Sequence, residues 1–166
     1  MGLGPLGGGR IQHSFFNMQE AGVSFVNAVA LEKYVNKAFT RLPGGAGGRQ
    51  IRFQDEEHIF CHSDISFDNF LYDPATGRVW MVDFQHVNVL PRSFFSHYLH
   101  YSPWAGVVAK AVEAKLGFPR SPHLDLLALA NALIGRSDYS SFGLDEYGEP
   151  MEPRQRRRRR VSAAKS

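Results

Sequence analysis

Between residues 24 and 42 the apolar side chains Ala28, Leu31, Val35, Ala38 and Leu42 recur at spacings of three and four. That period puts them on one face of an amphipathic helix, with Ser24 as its cap and Pro43-Gly44 as its stop. The glycine-rich stretch 43–50 reads as a loop. Beyond it the pattern shortens. His58-Ile59-Phe60-Cys61-His62 reads as a strand, and residues 69–72 and 78–84 form a hairpin across Asp73-Pro74-Ala75-Thr76-Gly77. Pro74 starts that turn with its fixed φ, and Gly77 gives a permissive exit. Two helices are predicted after the hairpin. One spans 104–116 and stops at Gly117; the other spans 121–134, opens on Ser121-Pro122 and stops at Gly135. The second is apolar on nearly every side, which predicts burial.

Residues 1–10 are half glycine, and residues 1–22 are expected to be poorly ordered. Gly2-Leu3-Gly4-Pro5-Leu6-Gly7 matches a glycine-rich nucleotide loop only on paper. Such a loop must follow a strand, and Pro5 lacks a backbone N–H that it would use. The expected organisation is a loose segment at 1–22, one α+β domain at 23–150 and a disordered basic tail at 151–166.

Composition sharpens this picture in three ways. An apolar content of 43% with 13 phenylalanines predicts a globular body with a real core. No apolar run is long enough to span a membrane, and the N-terminus lacks the pattern of a signal peptide. The single cysteine, Cys61, excludes an internal disulfide and fits a reducing compartment. A soluble cytoplasmic protein is expected. The net charge of +3 conceals an asymmetry: residues 151–166 hold six arginines and one lysine against one glutamate, leaving 12 basic and 15 acidic side chains in the remainder.

The candidate chemistry lies between residues 58 and 84. His62-Ser63-Asp64 is followed by Asn69 after five residues, and Val82-Asp83-Phe84 closes the second hairpin strand nineteen residues after Asp64. Two carboxylates and an amide oxygen are hard donors of the kind Mg²⁺ prefers. In phosphoryl transfer one carboxylate orients and deprotonates an attacking hydroxyl, while an asparagine and a second carboxylate hold the metal on the phosphates.

This constellation resembles the catalytic and metal-binding segments of the aminoglycoside phosphotransferase and choline kinase-like families, small-molecule kinases with a protein kinase-like fold. The core likeness runs through Phe60-Cys61-His62-Ser63-Asp64-Ile65, Asn69-Phe70-Leu71-Tyr72-Asp73 and Gly77-Arg78-Val79-Trp80-Met81-Val82-Asp83-Phe84. A looser likeness to divergent, fungal-type members continues to about residue 150. The resemblance implies a mainly helical C-terminal lobe with a small hairpin carrying the catalytic and metal loops. It also implies Asp64 as catalytic base, Asn69 and Asp83 as Mg²⁺ ligands, ATP (or GTP) as donor, a small-molecule hydroxyl as acceptor and a structural role for His62. Ser63 stands where the families usually have glycine, Phe67 where proline is common, and Gln85 where glycine or an acidic residue is often found.

The same families place ATP under a separate N-terminal lobe that takes on the order of 90 residues. Only about 60 residues precede the catalytic loop here, and Lys33 and Lys37 fall on the first predicted helix rather than on a strand. The lobe is expected to be largely absent and the chain truncated or inactive as it stands. A non-catalytic remnant that serves as a binding or scaffold protein is therefore the first rival.

The second rival is a nucleic-acid-associated protein. Arg156, Arg157, Arg158, Arg159 and Arg160, with Arg154, form a block suited to nucleic acid, acidic lipid or nuclear import. The expected default is a silent tail. His58, Cys61 and His62 do not make a zinc site in a strand, where Cys61 points opposite to the histidines. Asp68 is expected to be solvated, His86 to be a loop residue, and Phe94, Phe95, Tyr98 and Tyr101 to be core.

Overall fold

The computed structural model describes residues 2–102, 105–136 and 141–151. In chain order the elements are β1 (Gly4–Pro5), α1 (Ala28–Ala38), β2 (His58–His62), β3 (Phe70–Asp73), β4 (Arg78–Met81), β5 (Val87–Pro91), α2 (Arg92–Tyr101), α3 (Gly106–Leu116) and α4 (Leu124–Gly135). Short 3₁₀ turns fall at Asn17–Gln19, Phe39–Arg41 and Phe67–Asn69. One antiparallel sheet has the order β1-β5-β2, and β3 and β4 pair separately. This is an α+β fold. No helix among the described residues is long and apolar enough to cross a membrane.

Helix α1 buries Ala28, Leu31, Val35 and Ala38 of the predicted stripe and adds Ala30 and Tyr34, while Leu42 lies past the helix end. It starts later than residue 24 because Asn27, not Ser24, is the cap: its side chain accepts the Ala30 N–H at 2.9 Å. Past Ala38 the backbone tightens into the 3₁₀ turn. Helix α3 begins at Gly106 and ends as expected at Gly117, which takes φ of 60°. Helix α4 begins at Leu124, three residues beyond Ser121, whose hydroxyl accepts the His123 N–H at 3.0 Å. Its burial spreads over Leu124, Leu126, Leu127, Ala130, Leu133 and Ile134.

Besides β1, two elements have no counterpart in the sequence pattern. Strand β5 is buried from Asn88 to Pro91, so it shows no polar alternation. Helix α2 buries Ser93, Ser96 and His97 beside Phe94, Tyr98 and Leu99, and these polar residues blur its apolar stripe.

The largest correction concerns residues 1–22. Ile11, Phe15, Phe16 and Ala21 are buried in the main core, together with Phe25, Leu31, Tyr34, Phe53, Phe94 and Leu127. The segment folds back on itself: Ala21 N–H donates to the Ile11 carbonyl and His13 N–H to the Gln19 carbonyl, each at 2.9 Å. Gly4 and Pro5 pair with Val89 and Asn88. Such non-local pairing leaves no periodic trace in the sequence. The arginine run, Arg154 and Arg156 to Arg160, lies outside the described residues.

Residues 141–151 close over α1. Lys33 pairs with Glu149, and Gly148 sits with φ of 73° over the helix. A Cβ there would lie 3.0 Å from Lys33 Cβ and 3.1 Å from the Ala30 carbonyl oxygen. Gly148→Ala therefore combines left-handed strain of roughly 1–2 kcal/mol with crowding against helix backbone. The expected result is a melting temperature lower by roughly 5 °C or more, read by thermal denaturation. An unchanged melting temperature would show that this turn does not contact α1 in solution.

Candidate functional site

Strand β2 carries the chain into residues 63–69, and β3–β4 returns it to Asp83. The pairing Cys61↔Asn88 and His62↔Val87 holds the start of this excursion on β5. The link between its two ends is the imidazole of His62. Nδ1 accepts the Asp64 N–H at 3.1 Å, which leaves the ring proton on Nε2, 3.0 Å from the Asp83 carbonyl. His62 is buried, so this clamp is shielded from competing water. Asp83 itself takes φ of 60° just beyond β4, a conformation aspartate tolerates better than most side chains.

Asn69 joins the same cluster. Its Nδ2 donates to the Asp64 carbonyl at 2.7 Å and lies 3.3 Å from Asp64 Oδ2. Its carbonyl accepts the Val82 N–H at 2.9 Å, one residue before Asp83. With the amide nitrogen committed to Asp64, the Oδ1 oxygen is the part of Asn69 left to accept. The structure thus ties the backbone at Asp83 to the Asp64–Asn69 loop, while the Asp83 carboxylate is exposed and accepts the Gln85 N–H at 3.4 Å. Asp68 is exposed and stays out of the cluster; its N–H donates to Ser66 Oγ at 3.4 Å.

The loop has anchors that the sequence did not announce. Ser63 Oγ lies 2.8 Å from the Gln12 carbonyl and 3.2 Å from the His86 carbonyl, so its hydroxyl ties the loop to its surroundings. Asn88, fully buried, accepts the Gln12 N–H at 3.3 Å and donates to the Gln12 carbonyl at 2.7 Å. Tyr98 Oη accepts the Ile65 N–H at 2.8 Å. Only Asn88 had a visible signal, an amide set between Val87 and Val89 in an apolar run. Gln12 and Tyr98 are brought in by tertiary contact.

A hard cation fits the donor chemistry, since two carboxylates and an amide oxygen match Mg²⁺. The carboxylates need help, because no group of three His, Cys, Asp or Glu capable of holding a metal occurs among the described residues. Phosphate oxygens and water would have to complete the shell. Cys61 contributes nothing to this chemistry: burial pushes its thiol up to about 12, so it stays protonated. Among the described residues no strand carries a lysine; Lys33 and Lys37 lie on α1. Compared with known proteins, the chain matches no family model, no curated protein and no solved structure.

Proposed function

We propose that this chain carries the catalytic lobe of a small-molecule phosphotransferase of the aminoglycoside phosphotransferase and choline kinase-like kind, with ATP or GTP as donor. The observation that carries the reading is the His62 clamp. It ties the Asp64 loop to the Asp83 turn, which supports a single site built from residues nineteen apart. In the proposed step the acceptor hydroxyl oxygen bonds to the γ-phosphorus, the bond from that phosphorus to the bridging oxygen breaks, and the nucleoside diphosphate leaves. Asp64 takes the hydroxyl proton, while Asn69 steadies its carboxylate. Asn69 Oδ1 and the Asp83 carboxylate are the groups that would hold Mg²⁺, which supplies charge neutralisation on the phosphates.

Calorimetric titration of ATP with excess Mg²⁺ into the protein tests this. Asp83→Asn keeps the backbone carbonyl that His62 bonds and removes the charge, so binding should weaken roughly ten-fold or more. Saturable binding equal in both proteins, or none to the folded wild type, would sink the reading.

A second reading has its own observation. Leu71, Trp80 and Phe84 are 55%, 46% and 58% exposed, an unusual display of large apolar side chains around one hairpin. Together with the lack of a strand-borne lysine among the described residues, it favours a non-catalytic binding or scaffold role for the same lobe. No nucleotide binding combined with capture of a partner through that hairpin would support it.

A further inference from the structure

The hairpin β3–β4 has two faces of different shape. Leu71 and Trp80, paired across the strands, occupy one of them. The alternate residues Phe70, Tyr72 and Val79 occupy the other, as the two-residue period of a strand requires. This second face is concave. With Ile65 and Phe67 from the catalytic loop and Val108 from α3 it lines a cavity of about 470 Å³. That volume lies within the range of small-molecule sites, roughly 300–1,000 Å³. Among the described residues no charged side chain lines it, and only Ser66 and Tyr72 bring hydroxyls.

We propose that this cavity binds the apolar body of an uncharged, hydroxyl-bearing small molecule, an aromatic or aliphatic alcohol. The inference rests on the phosphotransferase reading and names the acceptor class for it. The wall and the candidate base are consecutive in the chain: Asp64 precedes Ile65 and Ser66, and successive Cα atoms are about 3.8 Å apart. The wall is also registered against the body of the protein, because Tyr98 Oη holds the Ile65 N–H at 2.8 Å. An alcohol whose carbon skeleton fills the cavity would therefore sit beside the loop that carries Asp64. The uncharged lining selects against sugars rich in hydroxyls and against ions, since their polar groups would lose water without gaining partners.

The test is methyl NMR of the protein titrated with 1-octanol and with 2-phenylethanol, using glycerol as the polar control and no nucleotide. Saturable shifts at Ile65, Val79 and Val108 methyls with the two apolar alcohols, and none with glycerol, are expected. Val79→Lys and Val108→Lys should each weaken binding ten-fold or more, while Leu71→Lys on the opposite face should leave it unchanged. Val79 is 60% exposed, so its replacement spares the core, and circular dichroism confirms that the variant folds. Non-saturable shifts, or equal loss in Leu71→Lys, would overturn the proposal. So would a wild-type dimer that Val79→Lys converts to monomer by sedimentation velocity, since the cavity would then be filled by a second copy. Because the readout needs no nucleotide, failure here is separate from failure of Mg²⁺-dependent ATP binding.

Discussion

Replacing Phe94 by alanine is expected to cost about 3–5 kcal/mol, a large part of the stability of a domain this size. Phe94 is fully buried on α2, and its ring meets four others: Phe15 at 5.0 Å, Phe53 at 5.3 Å, His13 at 5.6 Å and Phe16 at 6.3 Å between centroids. Three of those partners belong to the N-terminal segment, and Phe53 lies in the irregular stretch before β2. Deleting the ring therefore opens a cavity and also unpins residues 11–21 from α2. The segment carries Gln12, the anchor of Ser63 and Asn88, so the loss should reach the candidate site. Urea unfolding followed by circular dichroism should show a midpoint lower by about 1 M or more. A shift below 0.3 M, on the order of 1 kcal/mol or less, would mean that the aromatic cluster is loosely packed.

Acid should destabilise the protein through two buried imidazoles. Burial, and secondarily the charge of neighbouring His97, pushes His13 down from the ordinary 6.5 to about 3. Burial, and secondarily His100, pushes His97 down to about 4. Their rings lie 6.4 Å apart, and neither His97 nitrogen nor His13 Nε2 has a hydrogen-bond partner among the described residues. Both residues are therefore neutral in the fold at pH values where the unfolded chain would protonate them. The unfolded state binds more protons below pH 6.5, so stability falls as pH falls. The loss begins near 6.5 and is complete only below the folded values, about 4 for His97 and about 3 for His13. At about 1.4 kcal/mol per pKa unit the two lowered values together correspond to on the order of 8 kcal/mol. His97→Phe keeps a ring against Phe15 and Tyr101 and should flatten the decline between pH 6 and 4 relative to wild type. Urea midpoints at pH 7, 5 and 4 decide it; parallel profiles for the two proteins would show that His97 is not the titrating group.

Where local pattern governs, the sequence was legible. The stripe on α1, the short strand β2, the hairpin across Asp73–Gly77 and the glycine stop of α3 all follow from residue type within a few positions. The spacing of His62, Asp64, Asn69 and Asp83 was equally readable, because a loop and a hairpin of set length bring the chain back by geometry that neighbouring residues dictate. Cap positions shifted by a few residues, as with Asn27 in place of Ser24, since several residues could serve and packing chose among them.

The N-terminal segment and the pair β5–α2 were not legible. Ile11, Phe15 and Phe16 show no period because a folded-back loop delivers them to the core, and their partners lie on α1, α2 and α4. In α2 the buried Ser93, Ser96 and His97 read as surface residues until their surroundings are known: Ser93 N–H and Oγ both donate to Glu56, and Ser96 Oγ accepts the Ser121 N–H at 2.9 Å.

By itself, then, the sequence determined the helical and strand periods of the middle of the chain and the order of the candidate site residues. It put Asp64 in the loop after β2, but Asp83, expected inside the second hairpin strand, lies just beyond β4, which ends at Met81. Only the tertiary structure decided that residues 11–21 belong to the core, that Gln12 anchors Ser63 and Asn88, and that one hairpin face lines a cavity. The physical reason is range. Periodicity, turns and caps are written in interactions between residues a few positions apart, whereas burial of a polar group or a loop depends on partners tens of residues away.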